Sequence, residues 1–453
     1  MKHLLYGTTA LVAAGMMLAG TTPAKADDKP IQVTIGGYFY AFFDVTQSDP
    51  NTRDTVASLL EPSTVGGGAG SPATAESNRR LFVKSRIQFD GRTQLDNGLV
   101  AGFRVQLRGN TSDSNVIATS AAGAATVGSS SEDQVDEHFL FLDSATYGRM
   151  EAGATASAPR KMWYGAVTPA MPYDGVNSPN FIGFPGGQAG VILSQPTTIL
   201  HSSGQTDRAD KVSYYLPRIA GFQLGLSYAP NECNSNDISS STGAPAGALN
   251  LQCHFLGSNP LDNIPGQYKN IWSGGLNYVN KFGDFDVAIY GGFEHGTAET
   301  QLTSAVVEHD RNEFGAGFRI GAYGFSGGAS WRFDNQGTAK GLAAAAFAQT
   351  NRNDVSAGIS YGQGPWSIGT SFSYVQADEL DNNGNNPTIL NSATAKFASQ
   401  DKAWYEAIGA NYALGPGVNL NAAVERMDAN DALNVNTASG HAWLYTVGTA
   451  LNF

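Results

Sequence analysis

The sequence has little cysteine, few basic residues and no long apolar run beyond its first residues. Cysteine occurs twice, as Cys233 and Cys253, and with His254 these supply too few ligands for a metal centre. Lys and Arg total 27 against 39 Asp and Glu, a net charge of −12, which excludes a nucleic-acid partner because phosphate binding needs a basic face. After the N-terminal stretch no apolar segment reaches the roughly 18 residues of a membrane-spanning helix. Mean hydropathy is −0.21. Such a chain is either soluble or a barrel, since barrel strands alternate apolar and polar residues and keep mean hydropathy low. What is abundant leans toward strands and turns: 54 glycines and 10% aromatics, with only 15% charged residues.

The N-terminus carries its own signal. Lys2 and His3 precede the apolar, small-residue stretch Leu4 to Gly20, and Ala24-Lys25-Ala26 forms an A-x-A site before Asp27-Asp28. This order predicts a secretory signal peptide over residues 1–26, leaving 27–453 as a single mature domain. An uncleaved anchor is the alternative, disfavoured by the short apolar run. In an oxidising compartment Cys233 and Cys253 are expected to pair and close the polar stretch between them.

Period-two alternation in runs of about ten residues is the main structural signal. Leu81, Val83, Ile87 and Phe89 share one face, and Lys84, Arg86, Gln88, Asp90 and Arg92 share the other. Past Asn97-Gly98, a dipeptide suited to a two-residue hairpin turn, Phe103, Val105 and Leu107 oppose Arg104, Gln106 and Arg108. The pattern returns around Phe222–Tyr228, Phe285–Glu294, Phe314–Phe333, Val355–Tyr374 and Trp443–Phe453, and is poorest at Trp404–Leu414. Short turns are expected near residues 96–98, 146–148, 218–221, 281–284, 322–324, 363–365 and 415–417. Long polar segments lie between them, near 46–78, 111–132, 154–208, 230–269, 296–312, 335–351, 378–400 and 429–439. Seven short turns alternating with eight long loops separate sixteen strands. A soluble sandwich has no reason to sort its connections in this way, whereas an outer-membrane barrel does. The fold class is therefore all-β, a transmembrane antiparallel up-and-down β-barrel.

On these residues the chain resembles the Gram-negative general porins. The last strand puts Trp443, Tyr445, Val447, Thr449, Leu451 and Phe453 on one face and ends on an aromatic, similar to the signal read by the barrel-assembly machinery, with Tyr445 and Phe453 as its marks. Phe139–Gly153 resembles the strand–turn–strand before the family's constriction loop, and 208–228 the hairpin after it. The resemblance implies sixteen strands, a homotrimer and a third external loop, here residues 154–208, folded into the lumen. It also implies a place in the outer membrane beside lipid and lipopolysaccharide, and passage of ions and small hydrophilic solutes. No cofactor is expected, apart from divalent cations at acidic loops such as Asp378–Asp381 and Asp428–Asp431, runs that are more often simply solvated.

Selectivity in such a channel comes from charge beside a narrow water path. Lys84, Arg86, Arg92, Arg104, Arg108 and Arg149 would form a basic wall, or else solvated rim residues, and Asp174 is the loop acid best placed to oppose them. Tyr38, Tyr228, Tyr278, Trp331, Tyr361, Trp366, Tyr374, Trp443 and Tyr445 are outward candidates for interfacial girdles. A substrate-specific channel is the nearest rival reading, and a continuous ladder of inward aromatics, which would favour it, is not visible. A barrel hydrolase would need a nucleophile beside a base. There is no G-x-S-x-G motif, and the histidines are scattered. A surface adhesin would bring a further domain for which no segment is left over.

Overall fold

The computed structural model describes residues 31–48, 79–109, 115–119, 125–129, 135–167, 209–231, 268–298, 310–335, 349–380, 397–430 and 440–453. The signal-peptide region, Asp174, Cys233 and Cys253 lie outside the described residues, as do Asp207, His254 and most of the long connections.

Sixteen strands close into one antiparallel barrel in chain order. They are β1 Gln32–Ser48, β2 Arg79–Gln94, β3 Val100–Arg108, β4 Val135–Ser144, β5 Gly148–Ala154, β6 Asp210–Tyr215, β7 Phe222–Asn231 and β8 Tyr268–Phe282. The second half comprises β9 Phe285–Ala298, β10 Arg311–Ala322, β11 Phe325–Asp334, β12 Gln349–Gln363, β13 Trp366–Leu380, β14 Phe397–Gly415, β15 Val418–Asn430 and β16 Gly440–Asn452. A separate two-stranded ribbon, Asn115–Thr119 with Ala125–Ser129, occupies the connection between β3 and β4, which the sequence suggested only as a polar loop. The tight turns fall at all seven expected places.

Closure is made by β1 and β16, with Tyr38 opposite Asn452 and Gln47 opposite Trp443. The terminal residue joins this seam. The Gly37 N–H donates to the Phe453 carbonyl at 2.9 Å, and the Phe453 N–H donates to the Gly37 carbonyl at 3.1 Å. Closing the sheet leaves no unpaired strand edge, the condition for a sheet to stand in hydrocarbon.

The alternation sorts by face. Outside, Phe314, Phe318 and Ile320 of β10 are 43 to 46% exposed, while Glu313 on the inner face is fully buried. In water that pattern would be inverted. In lipid the exposed apolar face is the solvated one. Rings pair along the short-turn rim of the outer face, as with Phe325 and Tyr361 at 4.5 Å and Trp366 and Tyr412 at 4.4 Å, forming an interfacial girdle.

Two face assignments needed the structure. Tyr38, expected outside, points inward: it stacks on Tyr40 at 4.2 Å and lies under the Arg86 guanidinium. Strand β1 carries aromatics on both faces, Tyr38, Tyr40 and Phe42 inside against Phe39 and Phe43 outside, so alternation alone could not fix its parity. In β14 the inner set is Ala403, Tyr405 and Ala407, with Trp404, Glu406 and Ile408 outside. An inward tyrosine donating to Glu425 at 2.6 Å and an outward glutamate opposite Arg426 together blur the pattern there.

Candidate functional site: the lumen and its inner wall

The connection after β5 does not leave the barrel at once. Residues 155–167 run along the inner face of β6 to β12, beginning with one helical turn, α1, Ala158–Lys161. Pro159 lies in its first turn, where a fixed φ and a missing N–H cost the helix nothing. A track of glycines receives the segment. Gly225, Gly275 and Gly292 are cross-strand neighbours on β7, β8 and β9, and Gly328 pairs with Gly358 across β11 and β12. A Cβ built on Gly275 would stand 2.9 Å from the Pro159 Cα, and one on Gly292 3.0 Å from the Pro159 Cβ. Farther along, Gly317 and Gly328 face Gly165, and Gly358 faces the Val167 carbonyl. Glycine inside a strand weakens it and often marks close approach of another backbone. Here that backbone is residues 158–167.

Polar side chains of the wall stitch the segment down. The Ala158 N–H, an unpaired donor of the helical turn, donates to Ser227 Oγ at 2.8 Å. Asn277 Nδ2 donates to the Met162 carbonyl at 3.0 Å, and Lys211 Nζ donates to the Thr155 carbonyl. Lys161 pairs with Glu151, and Arg319 Nε reaches the Gly165 carbonyl at 3.3 Å. Ala158, Met162, Tyr215 and Tyr290 form a small buried cluster beneath the turn.

The expected basic residues are distributed as follows. Lys84, Arg86 and Arg92 lie on the inner face of β2, opposite Tyr40, Tyr38 and Gln32 of β1. Arg104 and Arg108 lie on the inner face of β3, opposite Asp90 and Arg86 of β2. Arg149 is the second residue of β5, opposite Tyr215. Arg92 is exposed close to the short-turn end. Arg86, Arg104, Arg108 and Arg149 meet acids supplied by the wall itself. Asp136 binds both Arg86, at 2.6 Å, and Arg108. Asp90 binds Arg104 at 2.7 Å. Glu151 binds Arg149 at 2.7 Å and also holds Lys161. Asp136 and Glu151 are almost wholly buried, whereas the Arg108, Arg149 and Lys161 side chains keep a quarter to two-fifths of their surface. Each buried carboxylate thus orients two cations, whose side chains stay partly exposed on the inner face. Sequence reasoning named these cations but not Asp136 or Glu151 as their partners.

A second ionic cluster, which sequence reasoning missed, lies on β10 to β12 near the long-loop end. Arg332 donates to Glu313 at 2.6 Å, Asp334 at 2.9 Å and Asp354 at 3.1 Å. Arg311 pairs with Asp334 and Arg352 with Asp354. These six side chains are between 1 and 12% exposed, so each charge depends on its neighbours. The signal was in the sequence as inward parity within each strand, but the residues meet only once the register is known. The inner wall also holds one short aromatic ladder, Tyr38, Tyr40 and Phe42, that was not visible beforehand. Tyr40 and Phe42 are buried, so they pack instead of lining a solute path.

A closed barrel of sixteen strands, apolar outside, charged inside and asymmetric in its connections, is a transmembrane β-barrel channel. The chain belongs to the Gram-negative porin family, whose model matches residues 7–432. Its fold is similar to that of the anion-selective porin from Comamonas acidovorans, at 14% identity and a TM-score of 0.51 over 94% of this chain and 100% of that one. It is also similar to OmpT, an outer membrane protein of Vibrio cholerae, at 12% identity and a TM-score of 0.47 over 95% and 100%. No curated relative matches the sequence. The protein is an outer-membrane channel of a Gram-negative bacterium.

Proposed function

We propose that the channel is a passive diffusion pore for ions and small hydrophilic solutes, filtered by size and charge where residues 155–167 narrow the lumen. The observation that carries this reading is the seating of Ala158–Val167 on the inner-wall glycines, which lays a bound strip of chain along the wall and takes up part of the lumen. The remainder of the 154–208 connection, with Asp174, belongs to the same constriction in this reading. Lys84, Arg86, Arg92, Arg104, Arg108 and Arg149 form its cationic side, with Arg86 and Arg108 oriented by Asp136, Arg104 by Asp90 and Arg149 by Glu151. The short-turn end is the periplasmic mouth.

In this reading residues 1–26 are a cleaved signal peptide, Cys233 and Cys253 pair outside the barrel, and the chain acts without enzymatic activity or cofactor. Lipopolysaccharide, with bridging divalent cations at the acidic loops, surrounds the outer rim, and Tyr445 and Phe453 present the assembly signal. The pore works as a homotrimer. Strands β5 and β6 have 7 and 6 residues, fewer than the roughly 9 needed to cross a bilayer, so that side of the wall suits a protein neighbour better than lipid. Liposome swelling with sugars of increasing size tests the filter: a sharp size cut-off supports it, and equal entry of all sizes contradicts it.

A further inference from the structure

A cavity of about 810 Å³ opens on the inner wall at the short-turn end, beneath Tyr164. Its polar lining includes Arg319, Lys281, Asp284 and Asp286. Arg319 is unlike the inward arginines of the two ionic clusters described above, because among the described residues it meets no carboxylate. Its hydrogen bonds go to backbone, the Gly165 carbonyl at 3.3 Å and the Ala166 carbonyl at 3.5 Å, and its guanidinium carbon lies 6.0 Å from the centre of the Trp163 ring. A guanidinium has five N–H donors, so most of its donor edge is left for the cavity. It stays half-buried, where an incoming anion is weakly screened.

The acidic pole lies one step nearer the mouth. Asp286 is opposite Gly321 in the β9–β10 register, and Gly321 is two residues along β10 from Arg319. Strand rise and strand spacing together set the two positions roughly 8 Å apart on one face. Among the described residues Asp286 has one loose ion-pair partner, Lys281 at 3.4 Å, both being about two-thirds exposed. Asp284 is already engaged by the Tyr323 hydroxyl at 2.9 Å. Two cations and two anions leave the cavity without net charge, so it has little to hold a simple anion or cation. It does present a fixed dipole, complementary to a solute that carries both charges.

We propose that this cavity is a binding station for small zwitterionic solutes, amino acids and short peptides, in which Arg319 takes the carboxylate and Asp286 the ammonium group. The proposal rests on the diffusion-pore reading for its physiological meaning, but the binding itself does not need transport. The probe is glycylglycine, with acetate and ethylammonium as single-charge controls, and binding to the detergent-refolded full chain is read by saturation-transfer NMR. KCl conductance of the same preparation is recorded separately and tests the pore reading alone. Wild-type protein is expected to bind glycylglycine in preference to both controls. Arg319→Gln and Asp286→Asn should each weaken it about tenfold, the factor expected from losing one charge-assisted contact. No hydrogen bond or ion pair joins Asp286 to residues 155–167, so its variant separates binding from seating of the segment. Acetate binding as well as glycylglycine, binding unchanged in both variants, or no glycylglycine binding by folded protein would each overturn the proposal.

Discussion

Replacing Gly275 by alanine tests whether residues 158–167 truly rest on the wall. The new Cβ would stand 2.9 Å from the Pro159 Cα, against about 3.5–4.0 Å for carbons in normal contact. One partner has to move by roughly 1 Å. Gly275 is locked by ladder bonds on both sides, opposite Gly225 and Gly292, so the segment gives way and moves into the lumen. Overpacking of this kind costs about 1–3 kcal/mol, and it strains the bonds from Ser227 and Asn277 to the same turn. The barrel itself should fold as before, judged by its heat-dependent gel migration. Single-channel recording should show lower conductance and more open-channel noise. Gly291→Ala is the control, because among the described residues no atom beyond its own chain neighbours lies within 4 Å of its Cβ position. Wild-type conductance in both variants, or a rise in Gly275→Ala, would refute the reasoning.

Other perturbations follow from the same geometry. Asp136→Asn removes the carboxylate shared by Arg86 and Arg108, so the reversal potential in a salt gradient should shift toward anion preference; a shift toward cations would contradict the assigned wall. Asn277→Ala leaves the buried Met162 carbonyl without its donor, a penalty of about 1–3 kcal/mol, and should raise current noise without changing barrel yield. Deleting Phe453 removes both hydrogen bonds to Gly37 at the closing seam, and folded protein recovered from membranes should fall; full recovery would mean the seam does not need them.

The strands and turns were legible because lipid makes burial simple: one face apolar, the other polar, for about ten residues at a time. Where both faces carry rings, as in β1, or where charge appears outside, as at Glu406, that signal fails and only the register settles the face. The cations of the inner wall were legible as residue types on the polar face of their strands. Their partners were not, since Asp136 reaches Arg108 across strands whose register the sequence leaves open, and Glu151 reaches Lys161 only once the helical turn is seated on the wall. The glycine track carried a readable hint, glycine recurring inside strands. It became a seat only when Gly225, Gly275 and Gly292 aligned across three strands.

The most direct test of the central claim is planar-bilayer recording of the refolded, signal-free protein. The account predicts stepwise, ohmic conductance arriving in groups of three equal levels. Correctly folded barrels that insert but pass no current would contradict it.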